Sequence, residues 1–235
     1  MSSHAVLKNG VSHPGRVLSL NIGSPTKVSF GNRSVLTSIF KSPVQGRVAI
    51  RGHNVGDDRQ SDRSVHGGPY KAVYSYPSEH YPYWRHELSS MDLPFGMFGE
   101  NLTTEGLDEE SACIGDRYQV GSAILQVTQP RMPCFKLGIR FGRNDMVKRF
   151  WQSGKSGIYF SIVSEGDVSA GDPIERIARP PRPISVAEVV RLYRGEEQSA
   201  DLYARALQAP LFGSWKQELR ERRETLWAAA EKFEG

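Results

Sequence analysis

Cysteine is scarce in this chain: two thiols, Cys113 and Cys134, in 235 residues. Two cysteines cannot build a disulfide framework, and without a CxxC pair they exclude zinc-knuckle and thioredoxin-type sites. A four-cysteine iron–sulfur cluster is excluded as well. Long apolar runs are also missing. No stretch approaches the roughly 18 residues of a membrane span, and the N-terminal MSSHAVLKNGVSHPGRV has no apolar segment of the signal-peptide kind. The expectation is a cytoplasmic chain with reduced thiols and no membrane partner.

Charge of one sign is in short supply too. Lys and Arg number 30 against 26 Asp and Glu, a net +4, and the charges are interspersed rather than gathered into a basic stripe. That pattern disfavours nucleic acid and leaves an anionic small molecule as the counterpart of the basic excess. Common catalytic signatures are absent. SGKSG at 153–157 lacks the earlier glycine of a phosphate loop, because Arg149 stands there. No GxGxxG, GxSxG or HExxH is present, and His80 and His86 lie six apart, on different faces of a helix.

What is present divides near residue 180. Before it come short apolar runs bounded by turn residues: GRVLSLNI, SVLTSIF, GRVAIRG, KAVYSY, RYQVGSAILQVTQ and GIYFSIVSEG. These predict many short strands, hence a sandwich or barrel. Helices are expected at 77–88, where Pro82 confines a clean helix to the second half, and at 143–154, capped by Asn144 and stopped by Gly154. RPPRP at 179–183 reads as a stiff linker. Beyond it, Ser185 and Glu188 form a capping-box pattern, SADLYARALQAP is stopped by Pro210, and a third helix follows with Ser214 as its cap. The fold class is therefore mainly β over 1–180, with peripheral helices, then a small all-α three-helix domain over 184–235.

Three segments carry chemistry. The first, GDDRQSDRSVHGGPYKAVY at 56–74, is too polar and glycine-rich for core. Arg63, His66 and Lys71 around Gly67 and Gly68 offer cationic donors and approachable amides, suited to phosphate or carboxylate, although a plain polar turn reads equally well. The second, FGENLTTEGL at 98–107, places Glu100 and Asn101 after Gly99, as a polar site or as a hairpin turn with a satisfied Asn. The third, QPRMPCFKLG at 129–138, is the strongest. Pro133 suits the first position of a helix, which would set Cys134 in the first turn between Arg131 and Lys136. Exposed amides and nearby cations favour a thiolate there, which could be a nucleophile, a sulfur donor or a soft-metal ligand. The alternative is an inert buried cysteine. Cys113, in SACIGDRY, reads as a small core residue.

In this order the strings VHGGPYKAVYSYP, FGENLTTEGL and CIGDRYQVGSAILQVTQPRMPCFKLG resemble the MOSC domain family. The match runs over about residues 45–165, and the helical tail resembles the YiiM-type subgroup, so nearly all of the chain is covered. The resemblance implies a MOSC-type β-barrel. It implies that Cys134 corresponds to the cysteine that ligates molybdenum where the molybdenum cofactor (molybdopterin) is bound. His66, Lys71, Arg131 and Lys136 would face the pterin phosphate, with Arg63, Gly67 and Gly68 beside them and Asn101 as a polar partner. The activity implied is reduction of small N-hydroxylated compounds, such as hydroxylaminopurine-type base analogues. His66 is then a candidate proton donor, and electrons come from a separate electron-donor protein. Two alternatives share the same residues: a sulfur carrier with a Cys134 persulfide, and a non-catalytic molybdopterin-binding module. Some members of the family carry a pyridoxal-phosphate label, for which Lys71 would be the only guess.

Overall fold

The computed structural model describes residues 15–58 and 68–234. Thirteen strands are formed: β1 Gly15–Ile22, β2 Thr26–Phe30, β3 Arg33–Thr37, β4 Ser42–Val44, β5 Val48–Arg51, β6 Asn54–Val55, β7 Val73–Pro77, β8 Leu102–Glu105, β9 Arg117–Val120, β10 Ala123–Pro130, β11 Ile158–Ser164, β12 Gly166–Val168 and β13 Pro173–Ala178. Six helices accompany them: α1 Tyr81–Glu87, α2 Phe135–Phe141, α3 Met146–Ser153, α4 Val186–Arg194, α5 Ala200–Gln208 and α6 Gly213–Glu234.

The main sheet runs β13-β9-β10-β11-β7-β8-β1-β4, and a β1–β13 pairing closes seven of these strands into a barrel. Closure removes the exposed edges that an open sheet would present. Every pairing is antiparallel except β7–β8, which is parallel. Parallel neighbours require a crossover, and here it is the segment 78–101 containing α1. The barrel interior is apolar, with Val17, Leu20, Leu102, Leu125, Val127, Ile158 and Phe160 all buried.

A second, aromatic core lies among α1, α2, α3 and the β7–β8 crossover. Tyr76, Trp84, Phe98, Phe141 and Phe150 fill it, and Tyr76 stacks on Phe98 with ring centres 4.3 Å apart. This core is the platform on which the loop after β10 rests.

The expected strands are all present. Pro82 falls in the first turn of α1, where its missing N–H is harmless. Two cap assignments are corrected. Asp145, not Asn144, precedes α3, its carboxylate held by Arg143 and Arg149. Ser214 lies inside α6, which already begins at Gly213. Gly154 does end α3, with φ of 69°, a left-handed conformation that glycine adopts without strain.

The capping box is formed in full: Ser185 Oγ accepts from the Glu188 N–H at 3.0 Å, and the Glu188 carboxylate accepts from the Ser185 N–H at 2.8 Å. Replacing Ser185 by Ala is expected to cost about 1 kcal/mol, read as a shift in the urea midpoint, with Ser185→Thr close to wild type.

The three C-terminal helices sit on the barrel. Val189, Leu192, Tyr203, Trp215 and Leu219 belong to the same apolar cluster as the barrel interior. The 179–183 segment is anchored as well. Arg179 makes a two-pronged pair with the fully buried Asp116, at 2.9 and 2.6 Å.

Candidate functional site

Neighbouring strands bring the site together at one barrel rim. In β11 Tyr159 lies opposite Gln129 of β10 on one side and Tyr74 of β7 on the other. The Asn101 N–H donates to the Tyr74 carbonyl at 2.7 Å, which joins the start of β8 to the same rim. The pairing of β10 with β11 slips between Val127 and Gln129, leaving Thr128 as the bulged residue. Bulges of this kind re-aim a strand end. The chain then leaves as loop 131–134 and enters α2.

These ends enclose a cavity of about 110 Å³. Cys134, Lys71, Arg131, Lys136 and Asn101 line it together with Lys41, Asp58, Tyr74 and Tyr159. Four cations therefore face one carboxylate, and the space favours an anion. Among the described residues no three His, Cys, Asp or Glu side chains are grouped to hold a metal by themselves. The protein offers one thiol, Cys134, within a cationic wall.

Each wall residue has its own support. The Arg131 guanidinium is buried, stacks 4.7 Å from the Tyr74 ring centre and donates to the Phe98 carbonyl. It joins the cavity wall to the aromatic core. Burial lowers the pKa of Lys71, and the nearby Cys134 sulfur opposes that shift. Lys41 is 7% exposed and paired with Asp58, itself 6% exposed. Burial pulls the Lys41 ammonium below its ordinary range, against the attraction of Asp58 and Glu100. Asp58 also accepts from the Gly23 N–H at 3.1 Å and from Asn101 Nδ2 at 2.8 Å.

Asn101 is thus committed within the protein. Its amide donates to Asp58, and its Oδ1 accepts from the Tyr74 N–H at 3.2 Å. It positions the rim more directly than it offers a free contact. Glu100 is wholly buried behind the cavity, accepting from the Tyr81 hydroxyl, the Gly96 and Phe98 N–H groups and Thr103 Oγ1. FGENLTTEGL is therefore a turn feeding a barrel strand, not a hairpin tip.

Of the residues singled out in the sequence, five meet in the cavity: Lys71, Asn101, Arg131, Cys134 and Lys136. Gly68, with φ of 88°, precedes the turn Pro69–Lys71 that delivers Lys71. Arg63, His66 and Gly67 lie outside the described residues. One expectation is corrected: α2 begins at Phe135, so Pro133 is not its first residue and Cys134 is the extended N-cap, not a first-turn residue. The chain before Cys134 keeps a strand-like path, and the helix starts only after it. Cys113 is 6% exposed and bridges Ser185, a packing residue as expected, and burial raises its pKa. Lys41, Asp58, Tyr74 and Tyr159 were not singled out. Lys41 and Asp58 lie outside the glycine-rich motifs or at their edge, and both tyrosines read as ordinary strand residues.

A closed barrel whose rim gathers a cysteine and several cations defines a MOSC-type protein, and the family model described as the MOSC domain matches residues 62–175. YflK of Bacillus subtilis (strain 168) is 40% identical over 211 residues, 89% of this chain and 95% of that protein. The crystal structure of YiiM from Geobacillus stearothermophilus superimposes with a TM-score of 0.73 at 34% identity, covering 89% of this chain and 100% of that one. A protein named "Reductase" from Gibberella moniliformis (strain M3125 / FGSC 7600) is 36% identical over 202 residues. Those residues make up 84% of this chain but only 36% of the reductase. The chain belongs to the MOSC domain family, within its YiiM-type branch. Among the described residues no helix is long and apolar enough to cross a membrane.

Proposed function

We propose that the chain is a molybdenum-cofactor-dependent reductase of small N-hydroxylated compounds. The observation that carries the reading is the Cys134 thiol set in a wall of Lys41, Lys71, Arg131 and Lys136. The donor set fits the group. A metal that arrives already chelated by a dithiolene needs one further soft ligand, and a phosphate-bearing pterin needs cations. Cys134 would be the protein ligand to molybdenum, while Lys71, Arg131 and Lys136 would hold the anionic part. When bound, the cofactor supplies two-electron oxygen-transfer chemistry. The overall change is R–NHOH + 2 H⁺ + 2 e⁻ → R–NH₂ + H₂O.

The chain's own residues would orient the ligand and supply protons. His66 is the candidate donor, with Arg63, Gly67 and Gly68 near it in sequence. The chain spans 36% of the length of the relative named "Reductase", and we assign the supply of electrons to a separate electron-donor protein. We read 184–235 as a small helical domain supporting the rim, in a cytoplasmic protein.

The test is metal and pterin content after expression in cells that make the cofactor. Wild type is expected to carry stoichiometric molybdenum and pterin and to reduce an N-hydroxylated base with an added electron donor. Cys134→Ser should lose both metal and activity while keeping the wild-type urea midpoint. If neither protein holds molybdenum and Cys134 instead carries cyanide-labile sulfur, the chain is a sulfur carrier and the reductase reading is wrong. Metal bound without any reduction would mark a molybdopterin-binding module.

A further inference from the structure

Loop 131–134 borders a second and larger space. Met132 lines both the cavity at Cys134 and a groove of about 540 Å³ whose walls come from α3, α4 and α6. Small-molecule sites commonly measure about 300–1,000 Å³ and combine an apolar floor with a few convergent polar groups. Here the floor is Met132, Trp151 and Tyr193, and the polar groups are Asn144, Lys148, Arg194 and Arg222. Among the described residues no carboxylate lines the groove.

The aromatic and cationic groups are interleaved. Trp151 and Tyr193 meet edge to face at 5.5 Å. The Arg222 guanidinium lies 4.5 Å from the Tyr193 ring centre and that of Arg194 5.9 Å from the Trp151 ring centre. Arg194 is further fixed by a bond to the Trp151 carbonyl at 3.1 Å. Two of the cations have acidic partners outside the lining, Glu196 at 2.6 Å from Arg194 and Glu218 at 3.0 Å from Arg222. Lys148 forms no ion pair among the described residues. Stacked guanidinium groups are ordered before any ligand arrives, and their planar forks suit a phosphate or carboxylate. An aromatic floor beside them suits a flat ring.

We propose that this groove is a second ligand site, which takes a planar aromatic anion of mononucleotide size. The ring lies against Met132, Trp151 and Tyr193, and the anionic group meets Arg194, Arg222 and Lys148. This goes beyond the reductase reading and stands without it, since no residue of the groove except Met132 belongs to the Cys134 cavity.

The test uses flavin mononucleotide, with riboflavin as its phosphate-free counterpart, titrated against the full chain by flavin fluorescence anisotropy. Flavin mononucleotide is expected to bind saturably, and riboflavin on the order of tenfold more weakly. Arg222→Gln and Lys148→Gln should each weaken flavin mononucleotide on the order of tenfold and leave riboflavin unchanged. Trp151→Ala should weaken both probes. Lys148 is exposed, so its variant separates lost binding from lost folding. Failure of both probes to bind saturably, or equal binding of the two, overturns the proposal. So does binding that survives Arg222→Gln but is lost in Lys71→Gln, which would move the ligand to the Cys134 cavity.

Discussion

Raising the pH above 10 is expected to unfold this protein steeply. Tyr74, Tyr76, Tyr81 and Tyr118 are at most 5% exposed, and burial raises the pKa of each, with Glu100 adding to the shift at Tyr81 and Asp116 at Tyr118. In the unfolded chain these hydroxyls lose their protons near pH 10. Between that value and the raised folded pKa, the folded state holds more protons than the unfolded one. Stability therefore falls as pH rises. Each tyrosine contributes about 1.4 kcal/mol per pH unit in that window, and four together about 5 kcal/mol. That rivals the whole stability of an ordinary domain, about 5–15 kcal/mol.

Lys41 acts in the opposite sense. Its folded pKa is lowered, so below 10.5 stability rises with pH. Lys71 acts in the same sense, and the contribution of both lysines ends where that of the tyrosines begins. Tyrosinate absorbance is followed against pH. The tyrosinates of Tyr74, Tyr76, Tyr81 and Tyr118 should appear only with loss of near-ultraviolet circular dichroism. A single smooth titration of all nine tyrosines with the fold intact would contradict this account.

Asp58→Ala is expected to lose about 3–5 kcal/mol of stability. The variant strands the Lys41 ammonium in a buried site and removes the acceptor of the Gly23 N–H and of Asn101 Nδ2. Orphaned donors and an unpaired buried charge are among the most costly single lesions in a core. The deficit should be largest near neutral pH and shrink in alkaline solution, as Lys41 escapes by losing its proton. Lys41→Met combined with Asp58→Leu should recover the part of the loss that comes from the stranded charge, but not the part from Gly23 N–H and Asn101 Nδ2, which stay without their acceptor. Urea unfolding measures all three. An Asp58→Ala midpoint indistinguishable from wild type would mean that Lys41 and Asn101 find other partners. The same variant frees the Asn101 amide, so it also tests whether that side chain is a strut of the rim.

Much of the fold could be read locally. The runs between turn residues became β1, β3, β5, β7, β9, β10 and β11, because β-branched and aromatic side chains suit a pleated, half-buried surface. The capping box at Ser185 was readable because its two bonds span only three residues. Short strands such as β4, β6 and β12 were not readable. They are two or three residues long, and each exists because a partner strand is beside it. The cap residues shifted because they depend on tertiary partners. Asp145 precedes α3 while Arg143 and Arg149 hold its carboxylate.

For the site, the reactive groups were legible along the chain: one of two cysteines in a basic, proline-flanked segment, and Lys71 after a glycine pair. Residue type and near neighbours suffice for that. Folding in three dimensions is what makes Lys41 and Asp58, seventeen residues apart, meet Asn101 and Tyr74 around the cavity that holds that thiol. Barrel closure and the parallel β7–β8 crossover bring those strand ends to one rim, and burial then sets the Lys41 charge. The groove at Trp151 and Arg222 has the same origin, since α4 and α6 pack on the barrel core and α3 in the aromatic core, and Trp151 and Tyr193 meet where those elements adjoin.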